Sequence, residues 1–329
     1  MALTVIGRIL RMSCDEAGKL TWRSLMRVFL TGATGWIGSA VVPELNGAGH
    51  AVVGLARSDA SAEALAAAGA EVQRGALDDL DVLRAAAAAS EGVIHLAFKH
   101  DEAFSGNFQA AAEADRRAIE TLGAALEGSS RPLVIASGLA GLAPGVLATE
   151  KDAPDSSSPA GHRALSEQTV LSLASSGVRS SSVRLAPTVH GDGDHGFVAT
   201  LVGIAREKGV SGYVGDGNNH WPAVHRLDAA RLFRLALETA LAGSVLHGAA
   251  EEGVPVRSIA EVIGRHLDLP VTSIAPEDAG EHFGWLGGFL ALDVLASSAL
   301  TRELLGWKPT HPGLIDDLAQ GHYFREPAA

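Results

Sequence analysis

Residues 27–38 read Arg-Val-Phe-Leu-Thr-Gly-Ala-Thr-Gly-Trp-Ile-Gly, and no other stretch limits the fold as strongly. Val28 to Leu30 is a short apolar run of the kind that forms a buried strand. It leads straight into Gly32-x-x-Gly35-x-x-Gly38, and Ile37, Ala40, Val41 and Leu45 then recur at helical spacing. A strand, a glycine turn and a helix in this order form a dinucleotide cradle. Gly32 allows the tight turn, Gly35 lets a pyrophosphate reach the backbone, and Gly38 lets the helix pack close to the strand. The unpaired N–H groups at the helix N-terminus face the anion. Thr34, Trp36 and Ile37, between the glycines, complete the candidate phosphate loop.

Downstream, strand and helix patterns alternate. Strands are expected at 51–55, 71–75, 92–97, 132–136 and 183–189, with helices at 60–68, 78–89, 110–127 and 164–175 between them. This alternation predicts an α/β fold, a doubly wound parallel sheet of Rossmann type. Beyond Val189 the regularity fades into a helix at 197–208, a strand-like start leading into a strong helix over 224–241, a helix at 255–267 and a tail containing Trp285 and Trp307. The division expected is an N-terminal extension (1–26), a dinucleotide-binding domain (27–190, with 224–248 returning to it), and a smaller, interleaved C-terminal substrate lobe (191–223 and 249–329). Within the extension, residues 3–10 have the composition of a strand.

The chain carries 26 basic and 38 acidic residues, a net charge of −12, which argues against nucleic acid or an anionic membrane as the main partner. The single cysteine, Cys14, cannot form an internal disulfide and suits a reducing cytoplasm. A small-molecule substrate and, at most, a second copy of the chain in a homodimer are the expected partners.

In a dinucleotide fold the second strand usually ends in an acid that holds the ribose 2′-hydroxyl. Here that place falls on Ala56, followed by Arg57 and Ser58. A guanidinium without a carboxylate suits a 2′-phosphate, so NADP is expected over NAD.

Taken together these residues resemble the extended short-chain dehydrogenases, the NAD-dependent epimerase/dehydratase family. Thr31 to Gly38 matches its glycine motif. His95-Leu96-Ala97 matches the end of its fourth strand, and Arg184-Leu185-Ala186-Pro187 its sixth. Gly215-Asp216-Gly217 with Val224-His225-Arg226-Leu227-Asp228, and Leu305-Gly306-Trp307-Lys308-Pro309, resemble its later signatures. The resemblance implies that Leu96, Ala97 and Pro187 border the cofactor and that Leu77 lies near the adenine, with Ala76 where the family has an acid.

The catalytic positions depart from the family. Its Tyr-x-x-x-Lys, aligned on Glu167-Gln168, falls on Pro159 and Arg163. The chain's two tyrosines, Tyr213 and Tyr323, are far away in sequence. Arg163 can hold a ribose but relays protons poorly, because a guanidinium does not deprotonate. Ser137 is the hydroxyl nearest the end of the fifth strand. Proton donors are therefore sought among Lys99, His100, Asp101, His162, His190, His195, His220 and His225. His190 ranks first, directly after the sixth strand, and His162 second. No His-x-x-x-His spacing points to a metal. Trp221 is a candidate wall for an apolar pocket.

Three functions remain open. The first is an NADP-dependent oxidoreductase acting on a small or medium carbonyl or hydroxyl compound with an atypical proton donor. The second is a catalytically silent NADP-binding sensor or scaffold. The third is a nucleotide-sugar epimerase or dehydratase, which has only Arg226 and Arg231 available for a second pyrophosphate.

Overall fold

A computed structural model describes residues 2–5, 8–14, 20–154 and 162–325, with side chains from residue 25 onward except at 104 and 162. Pro159 lies outside the described residues. A parallel sheet of seven strands organises the chain. Its strands are β1 (Arg27–Thr31), β2 (Ala51–Ala56), β3 (Glu71–Arg74), β4 (Gly92–His95), β5 (Pro132–Gly138) and β6 (Arg179–Leu185). The seventh, β10 (Ser244–Gly248), is fed by the returning segment. The spatial order is β10-β6-β5-β4-β1-β2-β3, so the winding reverses between β1 and β4 and opens a crevice at their carboxyl ends.

Both faces of β1 are covered. Val28 and Leu30 pack on one side with Val41 and Leu237, and Phe29 packs on the other with Ile119, Leu122 and Leu133. A strand buried on both faces reads as a continuous apolar run, as this one does. Helix α1 (Gly38–Gly47) covers the first face together with α7 (Arg226–Thr239). The second face carries α3 (Leu80–Ala88), α4 (Phe108–Leu126) and α5 (His162–Ser172), while α2 (Asp59–Ala67) links β2 to β3.

The sequence suggests one strand over 183–189; the structure has two. Pro187 has no N–H to donate to a ladder. β6 ends at Leu185, and the chain resumes as β7 (Thr188–His190) in a separate sheet. There β7 pairs in parallel with β9 (His220–His225), which pairs antiparallel with β11 (Glu251–Pro255). A third pairing joins β8 (Ser211–Val214) to β12 (Val271–Ile274). These elements, with α6 (Phe197–Lys208) and α8 (Val256–Leu267), enclose a second core around Trp221, Ile259 and Phe283. At the N-terminus, Ala2–Val5, Arg8–Cys14 and Leu20–Ser24 pair as a three-stranded antiparallel sheet.

The later motifs bind each other. Asp228, on α7, accepts the backbone N–H groups of Thr310 and His311 at 3.0 Å each, and its carbonyl accepts the indole N–H of Trp307. The Val-His-x-x-Asp and Leu-Gly-Trp-x-Pro segments thereby close the C-terminal tail onto the sheet. No helix among the described residues is long and apolar enough to cross a membrane.

Candidate active site

The glycine turn lies in the crevice between β1 and β4. Gly32 has a φ of 68°, and a Cβ there would stand 2.7 Å from the Ala97 nitrogen and 2.8 Å from the Leu96 carbonyl carbon. A Cβ on Gly38 would stand 2.1 Å from the Gly32 oxygen. The first and third glycines are therefore required by packing, as the spacing suggests. Thr34 and Gly35 are exposed, and the first turn of α1 has no acidic residue and no side-chain cap. An open helix N-terminus beside an exposed glycine fits a pyrophosphate.

Trp36 closes one side of this loop. Its indole N–H donates to the Val189 carbonyl at 2.7 Å, and the Arg226 guanidinium stacks on the ring at 4.0 Å while donating to Ser39 Oγ at 2.9 Å. Arg226 therefore joins α7 to the phosphate loop, a role its position in the sequence did not suggest. Ile37 packs against the core beneath.

At the far end of β2, Arg57 is exposed and Ser58 caps α2, its hydroxyl accepting the Ser61 N–H at 3.2 Å. A second guanidinium is present that sequence reading missed. Ala56 and Arg74 are paired in register between β2 and β3. Arg74 donates to the Ser58 carbonyl at 2.5 Å and to Asp59 at 2.8 Å. The signal was available, because both strands end at this edge. Leu77 packs against the core on the second face of the sheet and Leu96 against the first. Pro187 lies between β6 and β7.

At the carboxyl end of the sheet, Ser137 is buried at the penultimate position of β5. Arg163, in the first turn of α5, donates to the adjacent Ala136 carbonyl at 2.8 Å and lies 4.4 Å over the Phe98 ring. The register of α5 is fixed one turn further on, where buried Glu167 pairs with Arg184 of β6 at 2.6 Å and accepts the Ser182 hydroxyl. Arg163 thus reaches the β5 backbone one residue before Ser137.

His190 does not join them. It is sealed in the second sheet with Nδ1 2.8 Å from Asp317, and its Nε2 has no hydrogen-bond partner among the described residues. Its ring meets His225 at 5.4 Å, and His225 stacks on His311 at 4.6 Å. Burial, with His190 and His311 beside it, pushes His225 down to about 4. His195 packs edge-on to Trp36, and His220 pairs with Asp293 at 3.1 Å. Lys99 is held by Asp78 at 2.8 Å, which raises its pKa. Tyr323 donates to Asp194 at 2.8 Å, and burial drives its phenol far above the usual range. Trp221 is fully buried in the second core. Among the described residues, no cluster of three or more ligating side chains could hold a metal.

The titratable group beside Arg163 is His100. Its ring lies 5.0 Å from Phe98, on whose face Arg163 is stacked. It keeps an exposed edge but is closely ringed by protein, and that crowding, with the Arg163 charge, holds it below the usual histidine range.

Behind Arg163 is a buried network absent from the sequence-based expectations. His95 bridges Thr31 Oγ1, 2.7 Å from Nδ1, and Asp115 Oδ1, 3.1 Å from Nε2. Thr31 Oγ1 also accepts the Ala97 N–H. The carboxylate assigns the proton to Nε2 and leaves Nδ1 to accept from Thr31. Burial alone would raise the Asp115 pKa. The His95 hydrogen bond and the Arg163 charge outweigh it and keep Asp115 below the usual carboxylate range.

Residues 28–247 match the model of the NAD dependent epimerase/dehydratase family, and the chain belongs to that family. It is 52% identical over 301 residues to an uncharacterised protein of Schizosaccharomyces pombe, covering 91% of this chain and all of that one. It is 31% identical over 322 residues to the 3-diazoavenalumate denitrifying reductase of a Streptomyces species, covering 90% of this chain and all of the reductase. Among solved structures, the dTDP-glucose 4,6-dehydratase of Streptomyces venezuelae with NAD bound superposes with a TM-score of 0.74 at 21% identity. That match covers 91% of this chain and 97% of the dehydratase. At that identity the likeness concerns the fold. Membership of the family makes this an NAD(P)-dependent enzyme of the epimerase, dehydratase or reductase kind.

Proposed function

We propose that the chain is an NADP-dependent oxidoreductase acting on a small or medium carbonyl or hydroxyl compound. The observation that carries this reading is the placement of Arg163, a permanent cation, against the Ala136 carbonyl beside Ser137. A fixed guanidinium stabilises an oxyanion but cannot shuttle a proton. That suits net reduction of a carbonyl better than the reversible proton transfers of a sugar epimerase or dehydratase. The reductase relative supports the same choice.

Gly32, Gly35, Gly38, Thr34 and the α1 N-terminus would hold the pyrophosphate, and Arg57 with Arg74 the 2′-phosphate. Leu96, Ala97 and Pro187 would border the nicotinamide, with Arg163 on its ribose. Bound NADPH supplies hydride. Ser137 orients the substrate oxygen by a hydrogen bond, Arg163 offsets the charge developing there, and His100 passes a proton to it from solvent. Buried His190, bound to Asp317, is a positioning group for the second sheet.

The missing tyrosine also favours one alternative, a silent NADP-binding sensor. Loss of reduced-nicotinamide absorbance with a panel of aldehydes and ketones separates the two. Turnover that falls about 100-fold in Ser137→Ala supports the reductase. Tight NADPH binding with no turnover across the panel supports the sensor.

A further inference from the structure

We propose that Asp115 is the buried counter-ion of Arg163, a positioning residue that makes the site select an uncharged carbonyl compound over an oxoacid. This deepens the oxidoreductase reading and rests on it. Asp115 sits buried in the middle of α4. Its Oδ1 accepts from His95, whose other ring nitrogen is fixed by Thr31 of β1, so the carboxylate cannot swing away. The second oxygen, Oδ2, is buried too and has no hydrogen-bond partner among the described residues. The same holds for Ser166 Oγ and Arg163 Nε. Arg163 and Ser166 are three residues apart on α5 and therefore share one helical face. That face meets α4, where the Arg163 charge and the Ser166 hydroxyl both favour the ionised form of Asp115. An acceptor and two donors, all sealed from solvent, thus converge between the two helices. A buried carboxylate stays ionised only where a cation and donors compensate it, and Arg163 supplies the cation.

The pairing sets the charge of the site. His95 adds none, because its Nδ1 accepts from Thr31. His100, beside Arg163, is held below the usual histidine range and is uncharged at neutral pH. Asp101 also acts on His100, but it is exposed and screened by solvent. Asp115 and Arg163 are left to cancel each other. A free guanidinium would capture a substrate carboxylate by a two-pronged contact. One already balanced by a buried carboxylate offers an anion no net attraction, and a second carboxylate drawn there would be repelled by Asp115. The guanidinium still keeps N–H groups for charge that develops on the carbonyl oxygen only during hydride transfer. It also stays anchored, with Nη2 on the Ala136 carbonyl next to Ser137 and its plane over Phe98.

Titration calorimetry of the NADPH complex with mandelamide and with mandelate tests this, because the two differ in charge and neither is reduced by NADPH. Wild type should bind mandelamide at least roughly tenfold more tightly, the scale of a hydrogen bond to a charged group. Asp115→Asn should bring the two affinities together or reverse their order, and adding Arg163→Gln to it should abolish the gain for mandelate. A preference unchanged in Asp115→Asn, a wild type that favours mandelate, or no binding of either compound would overturn the proposal. Arg163→Gln alone tests the pairing even if Asp115→Asn folds poorly. Without the Arg163 charge the folded pKa of Asp115 rises, so its stabilisation is lost at a higher pH as acid is added. Acid unfolding of Arg163→Gln should therefore begin at higher pH than that of wild type, while Arg163→Lys keeps the wild-type curve. Coincident curves for wild type and Arg163→Gln would also overturn the pairing. The reductase reading fails separately, by absence of NADPH oxidation across the carbonyl panel.

Discussion

His95 Nε2 and Asp115 Oδ1 lie 3.1 Å apart inside the molecule, with both side chains almost fully buried, and they join the end of β4 to the middle of α4. Thr31 extends the link to the glycine turn, and the Arg163 charge extends it to the candidate catalytic strand. Asp115→Asn removes the buried carboxylate that pairs with His95. We expect a loss of about 2–4 kcal/mol, read from denaturant unfolding, since a broken buried pair leaves its partners unsatisfied. The pH sign follows from the depressed pKa. Asp115's stabilisation is fully present above its unfolded value, near pH 4, and is lost as pH falls through its lower folded value. The stability gap between wild type and variant should therefore be constant at neutral pH and close in acid. A gap unchanged down to pH 2 would contradict it.

The Arg226–Trp36 stack makes the phosphate loop depend on α7. Arg226→Ala should weaken NADPH binding by roughly 2- to 30-fold, the range of a cation–π contact of about 0.5–2 kcal/mol. Trp36→Phe keeps a ring under the guanidinium but gives up the bond to Val189. It should cost about 1 kcal/mol of stability with a smaller change in nucleotide affinity. Fluorescence titration and thermal melts of both variants check the pattern, and equal affinity in Arg226→Ala would remove the stack from the binding loop.

How much of this was readable in advance differs by region. The glycine turn, the first five strands and the doubly wound parallel sheet follow from local periodicity, because β1, β2, β4 and β5 are buried apolar runs with helical patterns between them, while β3 is an exposed edge strand. Ser137 and Arg163 were found by counting from β5 and from Glu167, whose pairing with Arg184 fixes that register. The split at Pro187 was legible in principle, since proline cannot donate to a ladder. His190 was misjudged as a donor facing the cofactor because its environment is made by Asp317, 127 residues later. Arg74, Asp115 and the Arg226 stack were missed for the same reason: each depends on a partner on another element.

The histidine cluster around His225 predicts a pH dependence of folding. His225 sits among His190, His311, Asp317 and Asp228, and its pKa is lowered to about 4. A histidine depressed in the fold binds its proton more readily when unfolded. Its contribution is constant above the unfolded value near 6.5 and declines as pH falls from there toward 4. The loss across that window is on the order of 3 kcal/mol. His225→Gln should flatten this limb relative to wild type in urea unfolding followed from pH 8 to pH 4. Parallel curves for the two proteins would assign the acid sensitivity to other groups.

The central claim is that the crevice between β1 and β4 holds NADP, with guanidinium groups at the β2–β3 edge reading the 2′-phosphate. The most direct measurement is a titration of the protein with NADPH and with NADH, followed by nicotinamide fluorescence, for wild type and Arg57→Ala. The account predicts that wild type binds NADPH at least roughly tenfold more tightly than NADH, the scale of a charge-assisted contact to phosphate. Arg57→Ala should bring the two affinities together. Equal or tighter binding of NADH by the wild type would contradict the assignment, and binding of neither nucleotide would contradict the site itself.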